Sequence, residues 1–346
     1  MSTGGGFLAR ERAEQPQAVE RVLRDQRSRF KRAAALARDA GIDSVTIAAR
    51  GTSDNVARYA QHVLGRFCGL PVSLATPSLT TLYHASPRLA RTLVIGISQS
   101  GESPDVNAVV EDAREQGQPT LAITNAADSP LAELAEVAID IGAGPERSVA
   151  ATKTYTASLA AIAALTVELA ADVTLSADLE RIVPAMIEQA QLGIGDAAGL
   201  LAGVRRCAVA GRGPNYATAH EAALKIKELT GIAAEPFSSA DVMHGPLAVL
   251  GEDCPLIAIG VAGPALESVA AVAEEASARG ARCLAITDTP GAFARAEQNV
   301  ALVTVAEWLS PLVAILSAQE LAEAVALERG VAVDEPFGLS KVTRTI

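Results

Sequence analysis

Aromatic residues are scarce in this chain, at 3% of 346 residues with a single Trp. Hydrophobic residues still reach 49%, so the core has to be built from Ala, Val, Leu and Ile. Such a core suits helices laid on a sheet, and the length allows two domains of ordinary size. Positive charge is also short. Lys and Arg number 29 against 40 Asp and Glu, a net charge of −11. That balance argues against nucleic acid or an anionic membrane as partner. An anionic ligand would need a local receptor. Cysteine is sparse and scattered: Cys68, Cys207, Cys254 and Cys283 form no C-x-x-C pair, and four His give no zinc spacing. Cys207 and Cys283 lie in apolar runs and read as small buried hydrophobes. The first residues, Met-Ser-Thr-Gly-Gly-Gly, hold no apolar signal region, and no apolar run is expected to reach the length of a membrane span. The Ala-rich stretch 157–171, interrupted by Glu168, reads as a buried helix. A soluble, cytoplasmic protein is expected.

What is present is concentrated in residues 93–106, Leu-Val-Ile-Gly-Ile-Ser-Gln-Ser-Gly-Glu-Ser-Pro-Asp-Val. The apolar run does not alternate, so it reads as a strand buried on both faces. Ser98, Gln99, Ser100, Gly101 and Ser103 follow at once. Pro104 then suits the first turn of a helix, which Val106, Val109, Val110 and Ala113 continue. A strand, a hydroxyl-rich turn and a helix N-terminus present O–H and N–H donors to one point, a receptor for phosphate or another anion. The pattern is neither a Walker loop nor G-x-G-x-x-G. The plainer alternative is an ordinary turn with a Ser cap.

Residues 7–38 show apolar positions at helical spacing (Val19, Val22, Leu23, Phe30) and read as one or two helices, available to a partner subunit. Strands are expected at Ser44–Ala49, Val72–Ala75, Leu93–Ile97, Thr120–Thr124 and Val137–Ile141. The turn Arg50–Asn55 follows the first of them, and a helix runs through Ala57–Phe67. Alternation of strands and helices implies a parallel sheet covered on both faces. The second half repeats the first. Arg205–Ala210 reads as a strand ending near Asn215, 160 positions after Asn55. Leu256–Gly260 parallels Leu93–Ile97, and Leu-Ala-Ile-Thr at 121–124 recurs at 284–287. Val300–Val305 parallels Val137–Ile141, and a helix at Leu309–Gly330 matches Thr152–Ala171. A shared offset over several elements indicates duplication. The serine turn survives in one copy only: the other has Val261-Ala262-Gly263-Pro264-Ala265.

The second half carries its own candidates. Glu221, Lys225 and Glu228 recur at spacings of four and three, on one helix face. A surface salt-bridge ladder is the bland reading of that spacing. His244-Gly245-Pro246 reads as a fixed loop that presents an imidazole, or as a His capping a turn. Lys341 stands alone in an apolar tail.

Together, Gly51-Thr52-Ser53, Ser98-Gln99-Ser100-Gly101-Glu102-Ser103, Val149–Lys153, Glu221/Lys225/Glu228, His244–Leu247 and Leu339-Ser340-Lys341 resemble the isomerase half of glutamine–fructose-6-phosphate aminotransferase, a member of the sugar-isomerase (SIS) family. The likeness covers nearly all of the chain after about residue 35. It implies two tandem SIS domains, each an α/β, doubly wound parallel sheet. They span 35–175 (phosphate-binding) and 196–331 (catalytic Glu and His), with N-terminal helices at 1–34 and a site-closing tail at 332–346. By resemblance, Ser53, Ser98, Gln99, Ser100 and Ser103 would hold the 6-phosphate of a hexose; Ser103 replaces the expected threonine and keeps the hydroxyl. Gly51, Thr52, Val149 and Glu221 would line the sugar. Glu228 would shuttle a proton between C1 and C2, His244 would open the ring from a neighbouring subunit of a homodimer, and Lys225 and Lys341 would complete the catalytic set. Neither metal nor cofactor is implied. The chain enters the SIS fold almost at once, so no glutaminase is expected, and the leading activity is deamination of glucosamine 6-phosphate to fructose 6-phosphate and ammonia. An aldose–ketose isomerase, a deaminase or deglycase of another hexosamine phosphate such as galactosamine 6-phosphate, and a non-catalytic sugar-phosphate sensor are the alternatives.

Overall fold

The computed structural model describes residues 6–334, and there the chain opens on three helices, α1 (Phe7–Ala13), α2 (Gln15–Asp25) and α3 (Arg27–Asp39). Their apolar stripe is not left for a partner, as the sequence suggests. Leu8, Val19, Val22 and Phe30 are all buried within the protein itself.

Residues 17–146 and 153–180 form one compact unit, the N-terminal unit. Its strands are β1 (Ser44–Ala48), β2 (Val72–Leu74), β3 (Thr92–Ser98), β4 (Thr120–Thr124) and β5 (Val137–Asp140), all parallel in the order β2-β1-β3-β4-β5. The intervening helices are α4 (Thr52–Cys68), α5 (Pro77–Thr81), α6 (Pro104–Glu115) and α7 (Pro130–Leu134), followed by α8 (Lys153–Ala170) and α9 (Val173–Glu180). Every residue of β3 is buried, as its unalternating sequence requires. On one face, Val106, Val109 and Val110 of α6 and Leu131 of α7 pack on Ala48, Val94 and Ala122. Gly96 permits that approach, because a Cβ there would lie 2.6 Å from the Leu131 side chain and 2.9 Å from Val110.

Residues 6–16, 147–152 and 181–334 make up the C-terminal unit. Its elements are α10 (Ile182–Leu192), β6 (Arg206–Gly211), α11 (Asn215–Thr230), β7 (Ala233–Ser238), α12 (Ser239–Val242), β8 (Leu256–Ile259), α13 (Leu266–Ala278), β9 (Cys283–Thr287), β10 (Gln298–Ala301) and α14 (Ser310–Glu328). The sheet order is β7-β6-β8-β9-β10, the same topology as the first sheet. The duplication read from a shared offset is thus a repeat of strand order. Each unit is an α/β fold with a five-stranded parallel sheet flanked by helices.

Three sequence readings need correction. Strand β7 is unforeseen because Glu235 and Pro236 interrupt its apolar run. It lies at the sheet edge, paired only with β6, where a proline costs little. Strand β10 starts before the expected Val300, and its polar Gln298 and Asn299 are tolerated at the opposite edge. Finally, one apolar segment does reach membrane-span length and composition, Glu307–Glu328, yet 89% of its apolar window is buried. It is the central helix of its unit, apolar all round because it is enclosed.

Candidate active site

In a parallel sheet of order 2-1-3-4-5, ligands bind outside the carboxyl ends of the two strands where the connections part to opposite faces. In the N-terminal unit those strands are β1 and β3. They pair in register, Ala48 opposite Gly96, so the turns that leave them stand side by side. The turn after β1 is Arg50-Gly51, leading into α4 with Thr52 and Ser53 in its first turn. The turn after β3 is the serine turn, leading into α6. Two helix N-termini, of 17 and 12 residues, therefore flank one point, and both favour an anion there.

The serine turn is tightly built. Ser98 Oγ accepts the N–H of Gly101 at 3.2 Å and lies 3.2 Å from Ser103 Oγ. Ser100 Oγ accepts the N–H of Glu102 at 3.3 Å. Ser103 is the N-cap of α6, yet its hydroxyl does not cap the helix. This disfavours the plain capping alternative. The Gln99 carbonyl accepts Asn125 N–H at 3.1 Å and the Thr124 hydroxyl at 3.4 Å, so the end of β4 holds the turn from behind. Gly101 has φ 65°, and a Cβ on it would fall 2.0 Å from Ser129 Oγ. Gly101→Ala is accordingly expected to lower stability by about 1–3 kcal/mol and to weaken inorganic phosphate binding at least tenfold, read by denaturant titration and calorimetry.

Arg50 and Asp105 join the two turns. Arg50 Nε donates to Asp105 Oδ2 at 2.6 Å, and Asp105 Oδ1 accepts Val106 N–H at 2.9 Å. Asp105 is fully buried, whereas the Arg50 side chain is half exposed. Neither residue is marked out by sequence spacing. An acid after a helix-opening proline looks like an ordinary dipole-matching residue.

The C-terminal copy shows why it lacks an anion turn. Its corresponding loop enters α13 with Ala265 N–H donating to Glu307 Oε1 at 3.2 Å, and a Cβ on Gly263 would meet the Glu307 carboxyl carbon at 2.7 Å. A carboxylate of the chain's own already occupies that helix N-terminus. Asp288, the counterpart of Asn125, accepts Ala262 N–H at 2.8 Å and so ties the same loop to the end of β9.

The charged face of α11 is not a surface ladder. Glu221 and Lys225 are buried, and only Glu228 retains exposure, at 23% of its side chain. Lys225 Nζ lies 3.4 Å from Glu221 Oε1 and donates to Glu228 Oε2 at 2.5 Å. The i, i+4 and i, i+3 spacing that the sequence shows is right; its environment is the opposite of the one such spacing usually means. One ammonium thus fixes two carboxylates, of which Glu228 can reach a ligand.

His244 sits in the exposed turn after α12, its N–H donating to the Asp241 carbonyl at 3.0 Å, and Gly245 follows with φ 133°. The His-Gly-Pro sequence thus lies in a turn, with His244 exposed. Val149 is half-buried in the 147–152 segment. There, consecutive N–H groups of Arg147 and Ser148 donate to the buried Glu11 carboxylate at 2.5 and 3.1 Å. The sequence gives no sign of that link from α1. Lys341 lies outside the described residues. Among the described residues, no group of three or more His, Cys, Asp and Glu is placed to hold a metal ion.

None of the thiols is placed as a nucleophile. Cys207, Cys254 and Cys283 are buried, and Cys68 is partly so. Burial pushes Cys207 up to about 12 and Cys68 up to about 11 from 9.0, and raises Cys254 and Cys283 as well. Iodoacetamide at pH 7.5 should therefore leave the native protein unalkylated. Because these thiols hold their protons more tightly when folded, their contribution to stability is full below pH 9.0 and is lost as pH rises through 11–12. Denaturation midpoints across that range check the sign.

The SIS domain family model matches residues 40–168 and 200–326. Glutamine–fructose-6-phosphate aminotransferase (isomerizing) of Gloeobacter violaceus is 37% identical over 317 residues, 87% of this chain and 52% of that protein. The enzyme of the same name from Thermococcus kodakarensis is 33% identical over 97% of this chain and 57% of its own length. The chain thus spans about half the length of these relatives. A solved structure from Silicibacter pomeroyi, provisionally called a phosphosugar isomerase, superposes with a TM-score of 0.87 at 36% identity, covering 94% of this chain and 98% of that one. The C-terminal domain of glucosamine-fructose-6-phosphate aminotransferase from Francisella tularensis gives 0.84 at 25% identity, covering 96% and 99%.

Proposed function

The chain belongs to the SIS domain family, and from that premise we propose that it deaminates glucosamine 6-phosphate, yielding fructose 6-phosphate and ammonia. The observation that carries this reading is the α11 triad, in which a buried Lys225 holds a partly exposed Glu228 in place. Moving a proton next to a carbonyl needs one such positioned base. In the open-chain amino sugar, Glu228 takes the proton from C2 and returns it to C1. The aldose becomes a 2-imino ketose, which water hydrolyses to the ketose with release of ammonia.

Ser53, Ser98, Gln99, Ser100 and Ser103 hold the 6-phosphate in this reading, supported by the paired turns after β1 and β3. Gly51, Thr52, Val149 and Glu221 line the sugar. Lys225 and Lys341 serve the reacting end. His244, exposed in its turn, opens the ring in this reading and acts in the neighbouring subunit of a homodimer. The relatives' names carry fructose 6-phosphate and an amino group transferred from glutamine. The same isomerase chemistry run toward the ketose releases that amine.

The test is an assay of purified protein on a panel of hexose and hexosamine 6-phosphates, with and without glutamine. Ammonia should appear from glucosamine 6-phosphate at a rate that glutamine does not change. Ketose formed from aldose phosphates with no ammonia from any hexosamine would make it a plain isomerase, and binding without turnover would make it a sensor.

A further inference from the structure

The ion pair between the two turns lies in the wrong place for a merely structural bridge. Asp105 stands in the first turn of α6, fully buried, two residues after Ser103 of the serine turn read here as an anion site. A bare carboxylate there would oppose the very charge that the helix N-terminus and the hydroxyls attract. Arg50, from the neighbouring turn, sets a guanidinium on that carboxylate at 2.6 Å while half of its side chain stays exposed. It therefore does two things at once. It cancels the buried charge, and it fixes the Gly51–Ser53 turn against the serine turn by a side-chain bond between residues 55 positions apart. The backbone register of β1 on β3 sets the strands side by side but does not fix the turns beyond them.

We propose that Arg50 and Asp105 are positioning residues for phosphate. Asp105 locks the Arg50 turn in place, and Arg50 neutralises Asp105 so that the serine turn accepts a phosphate dianion. The proposal rests on the reading of the serine turn as the phosphate site.

A double-substitution cycle tests it, with calorimetric binding of inorganic phosphate and of glucitol 6-phosphate to the full chain. Asp105→Asn keeps shape and loses the lock; binding should weaken about threefold to tenfold. Arg50→Ala takes the neutralising guanidinium from the buried Asp105 carboxylate in the first turn of α6, and binding should weaken about 100-fold. In the double variant the offending charge is gone, so binding should be at least several-fold tighter than in Arg50→Ala alone. Arg50→Gln, which can still donate to Asp105 but carries no charge, covers the case in which Arg50→Ala fails to fold. It should lose nearly as much. With glucosamine 6-phosphate as substrate, KM should move with these affinities while kcat holds within about threefold. A scaffold role alone would instead change the melting temperature and leave the affinity of the folded protein alone. Wild-type affinity in Arg50→Gln, or a further loss on adding Asp105→Asn to Arg50→Ala, would overturn the proposal and leave the phosphate site standing. Absence of phosphate and glucitol 6-phosphate binding in the wild type would overturn both.

Discussion

Glu228→Gln should lower kcat about a thousandfold and leave phosphosugar affinity within a factor of two or three. The geometry allows so clean a separation. Gln is isosteric, and its amide oxygen can still accept from Lys225 Nζ, which also keeps Glu221 at 3.4 Å. Lys225 therefore loses no partner, and the fold should stay within about 1 kcal/mol of wild type. What disappears is the one carboxylate of the triad with solvent access, and with it a group able to carry a proton between adjacent carbons. Single-turnover kinetics with glucosamine 6-phosphate and calorimetric binding separate the two quantities. Turnover at the wild-type rate would remove Glu228 from the chemistry.

Lys225→Met should have the largest effect on stability. The ammonium is only 1% exposed and lies within 3.4 Å of both Glu221, itself 0% exposed, and Glu228. Removing it takes the Lys225 ammonium away from a wholly buried carboxylate and from the second one it bridges. Breaking a buried pair from one side costs about 3–5 kcal/mol, which for a unit of this size lowers the melting temperature by roughly 10 °C. Calorimetric melts at neutral pH read it. A loss under about 1 kcal/mol would mean that the triad is solvated, as a surface ladder would be.

The sequence makes legible what depends on local pattern. Unbroken apolar runs locate β3, β4, β8 and β9 nearly to the residue, and repeated words with a shared offset reveal two like sheets. The serine turn is legible because hydroxyls, a glycine and a proline fall in the order that a strand-to-helix anion site needs. Burial is less legible. The α11 charges have the spacing of a solvated ladder, and nothing local says that Glu221 and Lys225 are buried. Nor are the long-range partners readable: Arg50 with Asp105, Glu11 with Arg147 and Ser148, and Glu307 with Ala265 join residues that only the fold brings together. Edge strands hide for a related reason. With one side unpaired, β7 can carry Pro236 and Glu235, so its pattern lacks the apolar continuity that marks a central strand.

Proton transfer between C2 and C1 can be observed directly in deuterium oxide. Glucosamine 6-phosphate is converted in that solvent, and the fructose 6-phosphate formed is examined at C1 by NMR and mass spectrometry. Transfer through Glu228 predicts that C1 of the ketose carries the hydrogen taken from C2, with solvent deuterium only in the fraction that exchanges on the carboxyl group, one ammonia for each ketose, and both products formed about a thousandfold more slowly by Glu228→Gln. Ammonia released at full rate by Glu228→Gln, with the same deuterium in its product, would contradict the account.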